Sequence, residues 1–203
     1  MTGGCVKVIR QAYEKDAQEV AYLIHLAIKD IAEALTGETD LVSIRKELAY
    51  LFLQKNNRLS YQNSIVAEVN GEIAGTLIAY SGDDASLLDQ AIMERLKRKK
   101  QNHVVLDKEA DRGDYYIDTV AVHPQYRGKG IGTELIHHAE HAAGQYGFSK
   151  VSLNVAHDNV RAKQLYQRLG YEEEKIKQIN GHPYDYMIKY VQHKEGIKNE
   201  HND

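Results

Sequence analysis

The chain has 203 residues, 42% of them hydrophobic and 27% charged, with a formal net charge of −3. That length supports one domain with a real core, and the small net charge excludes a general electrostatic drive toward nucleic acid or anionic membrane. The single cysteine, Cys5, excludes an internal disulfide framework and a cysteine-rich zinc site. No apolar run approaches the roughly 20 residues of a membrane span. The opening Met1-Thr2-Gly3-Gly4-Cys5-Val6-Lys7 lacks the apolar core of a signal peptide. The expectation is a cytoplasmic protein with no membrane contact.

In chain order, Val6 to Gln11 reads as a first strand. Asp16 and Glu19 match a capping box at a helix start. Val20, Leu23, Ile24, Ala27, Ile28, Ile31 and Leu35 then recur at helical spacing, and Gly37 ends the helix. Leu41, Ile44, Leu48, Leu51 and Phe52 form the apolar face of a second helix, Leu41 to Lys55. Ser64 to Val69 and Glu72 to Tyr80 flank Asn70-Gly71, a hairpin signal because both turn residues tolerate positive φ.

Ser81 to Asp114 is too long for a hairpin loop. Leu88, Ile92 and Leu96 predict a helix near Ala85 to Lys99, and Asp107 to Asp114 reads as polar loop. The basic run from Arg95 to Lys100 reads as a solvated helix end. Asp83 and Asp84 read as turn chemistry beside Gly82.

Tyr115 to Val122 is a β-prone strand. It leads through Pro124 into Arg127-Gly128-Lys129-Gly130-Ile131-Gly132 and a helix from Ile131 to Tyr146. The predicted buried stripe is Leu135, Ala139, Ala142 and Tyr146, with Gly147 as the stop. Backbone N–H groups of a glycine turn at a helix N-terminus form an anion site suited to phosphate or pyrophosphate. Lys150 to Val155 is a further strand, and Asp158-Asn159 caps a helix from Val160 to Leu169. Tyr171 to Lys177 and Tyr184 to Val191 read as a closing hairpin around Asn180-Gly181-His182-Pro183. The polar tail 193–203 reads as frayed. The order is β-α-α-β-β-insert-β-α-β-α-β-β, with antiparallel hairpins and one parallel β-α-β step.

Arg127 to Gly132, the strand Ile117 to Pro124, and Asn159, Ala162, Tyr166, Gly170 and Tyr171 together resemble the donor-site motifs of the GNAT family of N-acetyltransferases. The resemblance is close over Tyr115 to Tyr171 and loose elsewhere. It implies an α/β GNAT (acyl-CoA N-acyltransferase) fold: a mixed, mostly antiparallel sheet with a splayed parallel pair and flanking helices. It implies one domain over 1–192, with the insert at 81–114. It further implies acetyl-CoA as co-substrate. Val120, Ala121 and Val122 would hold the pantetheine arm, and Arg127, Gly128, Lys129, Gly130, Ile131 and Gly132 the pyrophosphate. Asn159, Ala162 and Tyr166 would lie beside the pantetheine and sulfur.

Acetyl transfer needs a base for the amine, a polarised carbonyl and a proton for the departing thiolate. Tyr166 is the candidate acid. Asp118 is the candidate base, placed by alternation on the face of Val120 and Val122 unless a bulge intervenes. Tyr116 shares that parity and could line the acceptor site. His137 and His141, four apart, read as a solvated face, with no metal expected. His123 reads as a positioning residue in the turn. The expected reaction is direct attack by a primary amine of a small metabolite in a ternary complex. Alternatives are a protein lysine or N-terminus as acceptor, a non-catalytic CoA-binding module, and an RNA-associated protein using Arg95 to Lys100. No nucleic-acid partner is expected, and a homodimer is an open expectation because family members often dimerise.

Overall fold

A computed structural model of the chain describes residues 7–28, 31–100 and 105–192. Cys5, Val6, part of the insert at 101–104 and the tail 193–203 lie outside the described residues. Seven strands form one sheet: β1 (Lys7–Gln11), β2 (Ser64–Val69), β3 (Glu72–Ser81), β4 (Tyr115–Val122), β5 (Lys150–Ala156), β6 (Glu172–Ile179) and β7 (His182–Tyr190). Their order is β1-β2-β3-β4-β5-β7-β6. Every pairing is antiparallel except β4 with β5. The helices are α1 (Ala17–Ile28), α2 (Ile31–Thr36), α3 (Leu41–Leu53), α4 (Ala85–Lys100), α5 (Ile131–Gln145) and α6 (Val160–Arg168).

Two apolar clusters sandwich the sheet. On one face, α1, α2, α3 and α4 pack on Val66, Ile78, Tyr80, Tyr116 and Tyr186. On the other, Ile131, Leu135, Ile136 and Ala139 of α5 pack on Leu77, Ile117, Leu153 and Met187, with Ala162 and Tyr166 of α6 against the same cluster. Each large side chain fully buried in this way contributes about 1.5–3 kcal/mol. Cover on both faces explains why β3 is buried almost continuously instead of on alternate residues.

Both Asn-Gly pairs make two-residue turns with positive φ, 51° and 88° at Asn70 and Gly71, 50° and 77° at Asn180 and Gly181. The second turn is shorter than the four-residue bend expected, because Pro183 already belongs to β7. Its carbonyl accepts from His157 N at 3.1 Å, and a proline at the strand start forfeits no ladder donor.

The sequence reading fails at helix ends. The expected helix from Val20 to Leu35 is helical over Val20–Ile28 and Ile31–Leu35, and residues 29–30 lie outside the described residues. Asp16 does not open a capping box with Glu19. A 3₁₀ turn at Glu14–Asp16 precedes α1, and the Asp16 carboxylate accepts from Tyr13 N at 2.7 Å and from Arg10 at 2.7 and 3.1 Å. Tyr146 is 68% exposed, because the stripe of α5 shifts to Ala143 and Gly144 as the helix leaves the sheet. Leu41 sits at the outer end of α3, 48% exposed. Asp40, unforeseen, caps α3 by accepting from Ser43 N at 2.9 Å.

Within the insert, α4 is core. Ile92 and Leu96 are buried. Arg95 pairs with Glu47 and lies 3.7 Å over the Tyr50 ring, while Lys99 bonds Thr36 O and Glu38. These two members of the basic run fasten α4 to its neighbours. No helix among the described residues is long and apolar enough to cross a membrane.

The Asp16 contacts set a pH dependence. Burial alone would raise its pKa, but Arg10 and the Tyr13 N–H more than reverse this and hold it below the ordinary range. The stabilisation is therefore complete above the unfolded value of about 3.9 and lost as pH falls through the lower folded value. Asp16→Asn should cost about 2 kcal/mol at neutral pH. In denaturant titrations the gap to wild type should close only below about pH 4.

Candidate active site

The parallel ladder of β4 and β5 is short. Tyr115, Tyr116 and Ile117 pair with Val151, Ser152 and Leu153, and there it stops. Both strands run on, so β4 from Asp118 onward has no ladder partner toward β5. A cleft of about 590 Å³ opens at this point. Val120, Asn159, Ala162 and Tyr166 line one part of it, and Glu109, Tyr116, Asp118 and Asn154 another.

On the α5 side, β4 turns through Pro124–Tyr126 into the glycine loop. Gly128 and Gly130 take φ of 75° and 78°, which a side chain would oppose. Gly130 is the residue before α5, so the N–H groups of the first turn point outward there. Arg127 and Lys129 are exposed beside it. His123 accepts from Gln125 N at 3.3 Å and packs on Tyr22 and Tyr126. Val120 and Val122 pack toward α5, and Ala121 is buried.

On the α6 side, Asn159 caps the helix, its Oδ1 accepting from Ala162 N at 3.2 Å. Tyr166 stands one turn beyond Ala162, its ring 6.0 Å from that of Tyr171. Burial pushes its phenol pKa up to about 12, so the hydroxyl keeps its proton at neutral pH.

Asp118 is where the sequence reading needed the tertiary fold. In the β3–β4 ladder Ile78 pairs with Thr119 and Ala79 with Ile117, which leaves Asp118 as the extra residue of a bulge. Its side chain therefore turns away from the face of Val120 and Val122 and joins Tyr116 on the α1–α4 side. There it meets Arg58 at 2.6 Å, accepts from the Tyr80 hydroxyl at 2.7 Å and from Thr119 at 2.9 Å.

Arg58, with 3% of its side chain exposed, also pairs with Glu109 at 2.7 Å and Asp89 at 3.4 Å. Burial opposes its charge, but Asp118, Glu109 and Tyr80 more than offset this, so it stays protonated. Burial likewise pushes the pKa of Asp89 and Glu109 upward. Arg58 opposes that rise and the nearby Asp118 adds to it. Tyr116 donates to Glu109 at 3.0 Å and accepts from Asn154 Nδ2 at 2.9 Å.

Arg58, Asp89, Glu109 and Asn154 were not foreseen. Arg58 and Glu109 occupy irregular segments with no periodicity to mark them. Asn154 carried a usable signal, a lone amide in the apolar run of β5. His157, at the end of β5, pairs with buried Asp185 at 2.8 Å, and Lys163 meets the same carboxylate at 2.7 Å. His137 and His141 are exposed, bonded within α5 to Glu140 and Gln145. Asp83 and Asp84 make turn contacts, with Gly113 N and through Ser81 O.

Gly82 closes the insert onto the sheet. Its N–H donates to Asp114 O at 2.8 Å, and a Cβ there would lie 1.8 Å from Asp111 O. Gly82→Ala must displace the 109–114 loop and with it Glu109. A cost of about 1–3 kcal/mol is expected in thermal or denaturant unfolding. Arg58→Leu leaves three carboxylates without their cation and should cost about 3–5 kcal/mol. The same unfolding measurement checks it.

Comparison with known proteins agrees with this geometry. The family model described as the acetyltransferase (GNAT) family matches residues 28–171, well over half of the chain. An N-acetyltransferase from Staphylococcus aureus Mu50 superposes with a TM-score of 0.79 at 29% identity, covering 90% of this chain and 100% of its own. A crystal structure described only as an acetyltransferase gives 0.76 at 29% identity, covering 91% of this chain and 100% of that one. The ribosomal-protein-S18-alanine N-acetyltransferase from Escherichia coli, at 16% identity and 0.57 over 95% of this chain and 98% of its own, shares the fold. The splayed strands, the glycine turn before α5 and the extent of the family match lead to one conclusion: the chain belongs to the acetyltransferase (GNAT) family.

Proposed function

We propose that the protein transfers an acetyl group from acetyl-CoA to a primary amine, with a small metabolite as the acceptor. The observation that carries this reading is the cleft at the β4–β5 splay, lined by the half-buried Tyr166 phenol that holds its proton, together with the glycine turn that follows β4. The residues fit the donor. Backbone N–H groups from Arg127 to Gly132 would meet the pyrophosphate, with Gly128 and Gly130 keeping side chains off the approach. The free edge of β4 at Val120, Ala121 and Val122 would take the pantetheine arm as an added strand takes a ladder. Ala162 leaves room beside Tyr166. Asn159 already serves α6 as its cap, so its role toward the donor is positioning.

Transfer then proceeds by direct attack. The amine nitrogen bonds to the thioester carbonyl carbon as the carbon–sulfur bond breaks. The departing sulfur takes the electron pair and receives the Tyr166 hydroxyl proton. That proton is replaced by the one the nitrogen sheds as the amide forms. The carboxylates around Arg58, Asp118 among them, form the basic side of the cleft. A small acceptor is favoured over a protein because Leu26, Leu35, Tyr184 and the insert loop wall in the acceptor end.

A CoA-release assay on the full chain against a panel of primary amines tests the reading. Turnover with one or more amines is expected, and saturable acetyl-CoA binding with no turnover on any amine would point to a binding module instead. Tyr166→Phe should lower kcat about 100-fold while leaving acetyl-CoA affinity unchanged. Wild-type kcat in that variant would remove the acid role.

A further inference from the structure

The wall of the cleft opposite Tyr166 carries an unfilled hydrogen-bonding demand. Asn154 is oriented by what its Nδ2 meets. That group donates to the Glu109 carbonyl at 3.2 Å and to the Tyr116 hydroxyl at 2.9 Å. The carbonyl can only accept, and the Tyr116 proton is already given to Glu109 Oε2 at 3.0 Å. The amide therefore cannot be turned round. Its Oδ1 is left buried with no partner among the described residues. A buried acceptor in this condition calls for a donor.

The charge of the same wall points the same way. Asp89, Glu109 and Asp118 surround a single guanidinium, so the formal balance is 1 − 3 = −2. Arg58 is committed to these three and has no free face for an anion. Both carboxylates have protein partners at each oxygen, but Glu109 keeps 12% of its side chain exposed and lines the cleft, whereas the Asp118 side chain is 2% exposed. Asn154 follows the last ladder pair on β5, as Asp118 does on β4, so the demand sits at the point of the splay.

We propose that Glu109 and Asn154 form the subsite for the ammonium group of the acceptor, and that the Glu109 carboxylate takes its proton. This rests on the acetyl-transfer reading above. The ammonium donates to Asn154 Oδ1 and to Glu109. Transfer of one proton to Glu109 frees the nitrogen lone pair for attack. Overall, ammonium and thioester become amide and thiol, and the one surplus proton leaves through Glu109 to solvent. The substrate class is a primary alkylammonium ion without a carboxylate beside the amine, because a neighbouring anion would meet a wall of excess negative charge.

The groups facing Glu109 set its titration. Arg58 favours the ionised form, as does the positive Lys177 Nζ on the Glu109 carbonyl at 2.5 Å. Asp118 and burial oppose ionisation and raise the pKa, while Tyr116 donates to the carboxylate. Asp89 and Tyr80 complete the surroundings through Arg58 and Asp118. Glu109 must be ionised to act, so activity should fall as pH drops through a value above the ordinary glutamate figure of about 4.3.

The test uses the full chain with n-butylamine, 1,4-diaminobutane and ethanolamine against glycine and L-glutamate, read as CoA thiol release. Wild type should favour the alkylamines over the two amino acids by about 10-fold or more in kcat/KM, the order of one opposed charge in a buried site. Glu109→Gln, which keeps shape and a hydrogen-bond acceptor for Arg58, should lose about 100-fold or more in kcat/KM for the amine. Its KM for acetyl-CoA should not move, and the acid limb of its pH profile should vanish. Asn154→Ala should raise the amine KM about 10-fold, the worth of one such hydrogen bond. Wild-type kcat/KM or a retained acid limb in Glu109→Gln, or a preference for the amino acids, overturns the subsite while leaving acetyl transfer standing. If Glu109→Gln does not fold, an unchanged amine KM in Asn154→Ala overturns it. A wild type that binds acetyl-CoA and acetylates none of the five overturns the acetyl-transfer reading, and the subsite with it.

Discussion

One buried guanidinium organises this molecule. Arg58 follows α3 in an irregular segment, and a charge so placed is tolerated only if it is paired on several sides. Its partners come from three elements distant in sequence: Asp89 from α4, Glu109 from the loop before β4, and Asp118 from β4 itself. Satisfying one charge therefore pins the insert against the sheet at the place where β4 and β5 part. The Asp118 bulge follows the same logic. It leaves that carboxylate beside Tyr116 and Arg58 while Val120 and Val122 beyond it face α5.

The second constraint is the short parallel ladder. With three residue pairs between β4 and β5, the strands diverge and leave one edge of β4 without a sheet partner. An open edge in the middle of a sheet is costly unless something else occupies it. Here it becomes one side of the cleft. Chemistry divides across the opening, with a phenol holding its proton on the α6 side and carboxylates raised by burial on the insert side. A phenol and carboxylates lining one cavity suit acid–base work.

The insert is part of this division. Ile92 and Leu96 are buried in the same cluster as α1 and α3, and Tyr186 ties the loop to β7 by donating to Asp114 at 2.5 Å. It is built into the body of the fold, and its polar loop supplies a wall of the cleft.

The sequence by itself determined the strand and helix order, both Asn-Gly turns, the glycine turn before α5 and the Asn159-Ala162-Tyr166 face. Each is a local pattern, written within a few residues by periodicity, turn stereochemistry or spacing along one helix. Only the tertiary structure decided which face Asp118 takes, where the ladder of β4 and β5 ends, and that Arg58, Asp89, Glu109 and Asn154 meet. A bulge depends on the partner strand's register. A buried ion cluster depends on segments brought together across the chain, and a charged residue in a loop reads the same whether solvent or a guanidinium waits for it. The glycine turn and the Asn159–Tyr166 spacing are thus local properties of the chain, and the cluster around Arg58 is a property of the fold.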